Sequence, residues 1–147
     1  MSNYKVIQLT NSAIGAVGAN TMLPLGTITR KIQSSNNCCS TFNVTTTDSN
    51  IIYLNEPGYY RITYSGSVIA GAAGVVDISI IANSDSVYTA SATAAEGDTV
   101  NITIPYEVRV SKNCCASPTN CPMSIQIQLG DTAITGGTSN LLIEKVY

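Results

Sequence analysis

Apolar residues at every second position constrain the fold of this chain more than any other feature of its sequence. Between Val100 and Val110 every even-numbered residue is apolar or aromatic, whereas the odd-numbered positions carry Asn, Thr, Pro, Glu and Arg. Successive side chains of a β-strand point to opposite faces of a sheet, so this pattern predicts a strand with one buried face. The same period of two recurs in residues 58–68, 76–82 and 123–129.

Turn-forming segments such as "GAAG" (71–74) and "ITGGTSN" (134–140) separate the strand candidates. Pro105 has no backbone N–H, so strand 100–110 is predicted to lie at a sheet edge or to carry a bulge. No segment combines a period of 3.6 residues with helix caps. About ten short strands in one chain predict a single all-β domain, either a sandwich, a jelly roll or a barrel. The weaker strand candidates are residues 4–9, 25–32, 41–45, 50–54, 86–92 and 141–146.

The composition excludes several classes of function. The net charge is -2 and the seven Lys and Arg residues are scattered, whereas a nucleic-acid partner requires clustered cations. No apolar run approaches the roughly 18 residues of a membrane span, so no membrane partner is expected. The chain has no histidine, which removes the commonest general base and the commonest metal ligand. We therefore expect a protein that is not an enzyme and that holds neither a cofactor nor a metal.

Five cysteines are the remaining candidates for chemistry. A thiolate metal site is one interpretation, but the C-x2-C spacing of zinc sites is missing. Disulfide bonds are the favoured prediction, and the odd number leaves one thiol free or bonded between chains. The sequence does not define the connectivity. The disulfide candidates are Cys38, Cys39, Cys114, Cys115 and Cys121.

The first 24 residues differ in composition from the rest of the chain. The segment "NSAIGAVGANTMLPLG" is rich in small residues and carries no charge. Two interpretations stay open, an arm that docks on a partner and an ordinary loop packed on the domain. The start of the chain also lacks an apolar segment of signal-peptide length. We expect such a chain to stay in the cytosol or to leave the cell by lysis, as virion and spore-coat proteins do.

Four segments in order resemble the jelly-roll domain of the C1q and tumour-necrosis-factor-like proteins. They are "LNEPGYYRITYSGSV", "GVVDISIIANSDSVYTA", "EGDTVNITI" and the final "SNLLIEKV". The resemblance covers residues 40–147 and implies an antiparallel jelly-roll sandwich over residues 25–147 that forms a homotrimer. It also implies trimer contacts through aromatic side chains, with the protomer's own core as the alternative location. The interface candidates are Tyr60, Tyr64, Tyr106 and Tyr147.

The likeness is greater still to bacteriophage head-fibre and capsid-decoration proteins of Gram-positive hosts. This resemblance implies a structural protein at the virion surface, with residues 1–24 bound to capsid proteins and the jelly roll displayed outward. Attachment to host-surface glycans is a further expectation. The second interpretation is a structural protein of a bacterial spore surface or cell surface with the same fold.

Overall fold

The computed structural model describes residues 4–33, 41–44, 50–110 and 123–146 of the chain. Every regular element in this part is a β-strand, as the alternating sequence pattern predicts. The ten strands are β1 (Lys5–Ile14), β2 (Thr27–Ile32), β3 (Phe42–Val44), β4 (Ile52–Leu54), β5 (Gly58–Ala70), β6 (Gly74–Ala82), β7 (Asp85–Ala94), β8 (Thr99–Val110), β9 (Met123–Leu129) and β10 (Ile134–Lys145).

The strands form two antiparallel sheets of five strands each. Sheet A has the order β2-β1-β10-β5-β8, and sheet B has the order β3-β4-β9-β6-β7. The chain repeatedly changes sheet between consecutive strands, which is the connectivity of a jelly-roll sandwich. The predicted fold class is confirmed. We call the end of the sandwich where β1 begins and β10 ends the lower end, and the opposite end the upper end.

The inner faces of the two sheets form the core, and the predicted alternation decides which residues reach it. On β5 the side chains of Tyr60, Ile62, Tyr64 and Val68 are fully buried. On β8 the even-numbered residues are buried or packed against the core. Burying one such aliphatic or aromatic side chain contributes about 1.5–3 kcal/mol, so this face supplies much of the driving force for folding.

Pro105 lies on an edge strand, where a residue without a backbone N–H is tolerated. It belongs to β8, the edge strand of sheet A, and it is exposed opposite Thr63 of β5. An edge strand donates hydrogen bonds on one side only, so the missing N–H leaves no gap in the sheet. The edge position predicted for this strand is confirmed.

The last strand begins earlier than the sequence pattern indicated. Residues 134–140 were predicted as a turn, but β10 starts at Ile134 and pairs with β5 along its length. A register shift between Ile134 and Gly136 accommodates the glycines within the ladder. At Gly137 a Cβ atom would collide with the Ser67 carbonyl, so the glycine allows β10 to approach β5 closely.

The N-terminal residues are part of the sandwich, which corrects the expected boundary between residues 24 and 25. Strand β1 lies inside sheet A between β2 and β10, and its Ile7 and Leu9 are fully buried. Beyond β1, backbone hydrogen bonds tie Val17 to Ile134 in both directions, and Leu23 donates to the Ile127 carbonyl at 2.7 Å. One domain therefore runs from residue 4 to 146, while the docking role of residues 1–24 stays a prediction.

Glu56, in the connection between β4 and β5, joins the two terminal strands at the lower end. Its Oε2 lies 2.6 Å from Lys5 Nζ on β1 and 3.0 Å from Lys145 Nζ on β10. Its Oε1 accepts a hydrogen bond of 2.9 Å from the Thr41 hydroxyl. The side chains of Glu56, Lys5 and Lys145 are only 12–17% exposed. The carboxylate therefore compensates two ammonium groups that would otherwise lose hydration without a partner.

Glu56→Gln is expected to lower the free energy of unfolding by about 3 kcal/mol, because it leaves both lysines without a counter-charge in a partly buried site. Denaturant unfolding at one protein concentration measures the change. Glu107→Gln is the matched control, since its pair with Arg61 is 53% and 66% exposed. The control is expected to cost less than about 0.5 kcal/mol. Equal effects of the two substitutions would contradict the role assigned to Glu56.

Candidate assembly surface

The outer face of sheet A is formed by the residues opposite the core positions. On β5 these are odd-numbered residues such as Thr63 and Ser65, and their neighbours on β10, β1 and β8 lie on the same side of the sheet. Thr10, Asn140, Ser65 and Thr103, for example, form one row across four strands. This face is extended and polar, and it divides into two parts of different chemistry.

The upper part is an uncharged groove of about 480 Å³. Serine, threonine, asparagine and glycine line it, without a charged or large apolar residue. Its volume lies within the range of ligand and interface pockets. The lining residues are Thr10, Asn11, Ser12, Ser65, Gly66, Ser67, Asn101, Thr103, Thr138, Ser139 and Asn140.

Some groove side chains bond to each other, and others are available to a partner. Asn140 Oδ1 accepts hydrogen bonds from Gln8 Nε2 at 2.9 Å and from Thr10 Oγ1 at 3.2 Å. In the described part of the chain, the side chains of Ser65 and Thr103 make no hydrogen bond. Hydroxyl groups both donate and accept, so the groove offers paired donors and acceptors without net charge.

The lower part of the face carries tyrosine, arginine and glutamate. Arg30 lies 5.9 Å from the centre of the Tyr4 ring, and Arg109 lies 5.7 Å from that of Tyr59. The Tyr4 hydroxyl donates to Glu144 Oε2 at 3.0 Å. Tyrosine and arginine are enriched at protein interfaces, because both present large contact areas with polar ends.

Two of the four predicted interface tyrosines belong to the core of the protomer. Tyr60 and Tyr64 are fully buried between the sheets, and Tyr106 is half-buried on the inner side of β8. The Tyr60 hydroxyl donates to the Glu56 carbonyl at 2.7 Å, and its ring meets Phe42 edge to face at 6.0 Å. Tyr147 lies outside the described residues.

The Tyr64 side chain lies over Gly66 of the same strand. A Cβ atom at Gly66 would be 3.1 Å from the Tyr64 ring, so the glycine provides the space that the ring occupies. Among the residues that the structure describes, the buried Tyr64 hydroxyl has no hydrogen-bond partner. Burial raises the pKa of Tyr64 to about 12, and the neighbouring Ser139 side chain, which is not at hydrogen-bonding geometry, acts weakly in the opposite direction.

The raised pKa of Tyr64 predicts a loss of stability in alkali. Above pH 10, the ordinary pKa of tyrosine, the unfolded chain releases this proton while the folded chain retains it. The contribution of the Tyr64 proton to the free energy of unfolding is therefore fully present below pH 10. It falls by about 2 to 3 kcal/mol as the pH rises to about 12. Tyr64→Phe is expected to reduce this fall, as measured by denaturant unfolding across the pH range.

The same substitution provides a test at neutral pH. Tyr64→Phe removes only an unpaired hydroxyl, so the free energy of unfolding is expected to stay unchanged or to rise. Tyr60→Phe is the matched control, because it deletes the hydrogen bond to the Glu56 carbonyl and is expected to cost about 1 kcal/mol. A larger loss from Tyr64→Phe than from Tyr60→Phe would contradict the unpaired state of the Tyr64 hydroxyl.

The five predicted disulfide cysteines lie outside the described residues, so their pairing stays a prediction. Among the residues that the structure describes, no three His, Cys, Asp or Glu side chains are grouped so that they could hold a metal ion. In the same part of the chain, no helix has the length and apolar character needed to cross a membrane.

The sequence pattern by itself does not single out the residues of the outer face. Thr63, Ser65 and Thr103 do occupy the positions opposite the apolar ones in the two most regular strands. The pattern does not, however, give the order of the strands in the sheet. The alternation does not show that β1, β10, β5 and β8 are adjacent, and only their adjacency joins scattered Ser, Thr and Asn residues into one groove.

No protein-family model matches the chain, and no curated protein matches it in sequence. Solved structures match its fold over nearly the whole length. The globular domain of zebrafish complement 1qA protein has a TM-score of 0.68 at 7% identity, over 97% of this chain and 98% of that one. Eiger TNF from S. frugiperda has a TM-score of 0.69 at 5% identity, over 98% of this chain and 92% of that one.

A viral protein has the same fold. PRD1 vertex protein P5 matches with a TM-score of 0.57 at 16% identity, and the match covers 97% of each chain. PRD1 is a bacteriophage. All these identities are below the level that indicates a shared function, so they show the fold alone. The chain has the antiparallel jelly-roll fold of C1q and TNF domains.

Proposed function

We propose that this chain is a non-enzymatic structural protein of a bacteriophage virion, a head-fibre or capsid-decoration protein that displays its jelly roll outward as a homotrimer. The observation that carries the proposal is the polar outer face of sheet A, a continuous surface on a fold shared with a phage vertex protein. Attachment to host-surface glycans stays a prediction from the sequence.

The trimer contact is assigned to the outer face of sheet A. The aromatic side chains expected at the interface include Tyr60 and Tyr64, which are buried inside the protomer. The outer face instead presents the uncharged groove in its upper part and the pairs Arg30–Tyr4 and Arg109–Tyr59 in its lower part. Charges of both signs alternate across the lower part, as in the pair of Arg61 and Glu107 at 3.5 Å. Such a surface is complementary to rotated copies of itself, which favours a closed ring.

Ser65→Glu is expected to dissociate the trimer, because it places a charge in the middle of the groove, where a partner copy would leave it without a counter-ion. Light scattering is expected to change from three times the 15.4 kDa chain mass to the chain mass itself. Thr93→Glu adds the same charge at an exposed position of sheet B and is the control. A wild-type protein that is a stable monomer would contradict the trimer but not the fold.

Docking to the particle is assigned to the exposed part of the N-terminal region, residues 15–21, at the upper end. Backbone bonds at Val17 and Asn20 hold this segment on the domain. Gly18 has no atom within 4 Å of an added Cβ, so a larger side chain fits there without strain. Deleting residues 1–24 would remove β1, so a point substitution is the informative change.

Purified virions are expected to contain this chain, and Gly18→Arg is expected to lower its occupancy on the particle while leaving its thermal unfolding unchanged. The charge acts by obstructing a close contact with the capsid. Ser86→Arg, exposed at the lower end, is the matched control and is expected to keep full occupancy. Virions without the chain, together with its presence on spores or cell surfaces, would support the second interpretation and contradict this one.

The strand pairing favours a disulfide between the two cysteine-containing segments. Phe42 and Met123 both pair with Leu54, from opposite sides, so the described ends next to Cys39 and Cys121 lie two strand spacings apart, about 10 Å. The two residues between Cys39 and Phe42, or the three between Cys38 and Phe42, are long enough to span that distance, at about 3.3 Å each. We therefore include a disulfide between the segment of Cys38 and Cys39 and that of Cys114, Cys115 and Cys121 in the proposal.

Protein released from native particles and alkylated without reduction is expected to show fewer than five modified cysteines by mass spectrometry. After reduction all five are expected to react. Closing a loop of 76 to 84 residues would contribute about 4.5 kcal/mol, so reduction is also expected to lower the unfolding temperature. Five reactive thiols before reduction would contradict the disulfide.

A further inference from the structure

Strand β2 is the open edge of sheet A. It pairs with β1 on one side, and among the described residues no strand pairs with its other side. All six of its residues, Thr27 to Ile32, are exposed. Ile28 and Ile32 are 44% and 46% exposed, which makes them two of the most accessible large apolar side chains of the domain. A six-residue edge with free backbone groups is long enough to pair with another strand.

The two faces of β2 carry the same combination of side chains. Cross-strand neighbours lie on the same side of a sheet, and Ile28 and Lys31 are opposite the inward-facing Leu9 and Ile7. Arg30 and Ile32 are opposite Gln8 and Val6 on the other side. Each face of β2 therefore carries one isoleucine and one cation.

Arg30 does not obstruct this edge. Arg30 turns back over sheet A, where it lies over the Tyr4 ring and donates to the Tyr4 hydroxyl at 3.5 Å. The bulge in β2 is on the β1 side, where the Thr29 hydroxyl donates to the Gln8 carbonyl at 3.4 Å. Neither feature extends into the path of a strand added outside β2.

We propose that the open edge of β2 binds an extended segment of another protein as an added strand, and that this segment carries apolar side chains on both of its faces and acidic side chains on the face that meets Lys31. Backbone hydrogen bonds would provide the pairing, the two isoleucines would contact the apolar side chains, and Lys31 would select the acidic ones. This inference goes beyond the proposed function and does not depend on a virion.

The test uses the full chain and a synthetic peptide of about eight residues that repeats Glu-Glu-Val-Val, so that each of its faces carries both glutamate and valine. Amide hydrogen exchange, followed by NMR, is expected to slow at the β2 amides that point away from β1 when the peptide binds, because an added strand pairs with the outward N–H groups of an edge strand. Amides of β7, the edge strand of sheet B, are expected to stay unchanged. A peptide with lysine in place of glutamate is expected not to bind.

Lys31→Glu is expected to weaken peptide binding by roughly threefold to tenfold, the effect of losing and reversing an exposed ion pair. Thr93→Glu adds a negative charge at an exposed position of β7 in the other sheet and is expected to leave the affinity within about twofold of the wild type. Absent protection, equal protection of the amides that face β1, or equal binding of the lysine peptide would overturn the proposal. If the protection of these amides increases with protein concentration in the absence of peptide, the edge of β2 pairs with a second copy of this chain instead.

Discussion

The partly buried carboxylate of Glu56 holds together the parts of the chain that are furthest apart in sequence. It contacts Lys5 near the start of β1 and Lys145 at the end of β10, two strands that pair in the middle of sheet A. The "NEPGYY" segment supplies this carboxylate and, two residues on, the start of β5, whose Tyr60, Ile62 and Tyr64 are fully buried. The terminal strands are thus fixed to the β4–β5 connection, and the continuous outer face of sheet A depends on that closure.

The two faces of sheet A have opposite chemistry, and this difference determines how the protein can associate. The inner face buries Tyr60, Ile62 and Tyr64 in the core, whereas the isoleucines that sheet A leaves exposed, Ile28 and Ile32, lie on its edge strand β2. Contacts through the outer face rely on hydroxyl, amide and charged groups, each of which contributes only about 1 kcal/mol or less. Assembly on such a face requires many well-aligned contacts over a large area, which a flat four-strand surface provides.

Charge is distributed unevenly along the long axis of the sandwich. The described basic residues lie in its lower half, whereas acidic residues such as Asp77, Asp98 and Asp131 lie at or near the upper end. A separation of this kind orients a protein in the field of a charged partner before contact is made. The proposed docking segment, residues 15–21 at the upper end, is uncharged, so it is electrostatically distinct from the basic edge of β2.

Local sequence determined the secondary structure and the buried faces of this protein, because a period of two specifies both at once. The strands from Gly58 and Thr99, with Pro105 at an edge, follow from that rule alone. The rule was insufficient at residues 134–140, where the glycines that indicate a turn permit close pairing with β5. Only the tertiary structure decided that β1 joins the sheet, that Tyr60 and Tyr64 fill the protomer core, and that Ser65, Thr103 and Asn140 form one groove. Each of these depends on which strands are neighbours, and strand order is set by the packing of two whole sheets, which no single segment encodes.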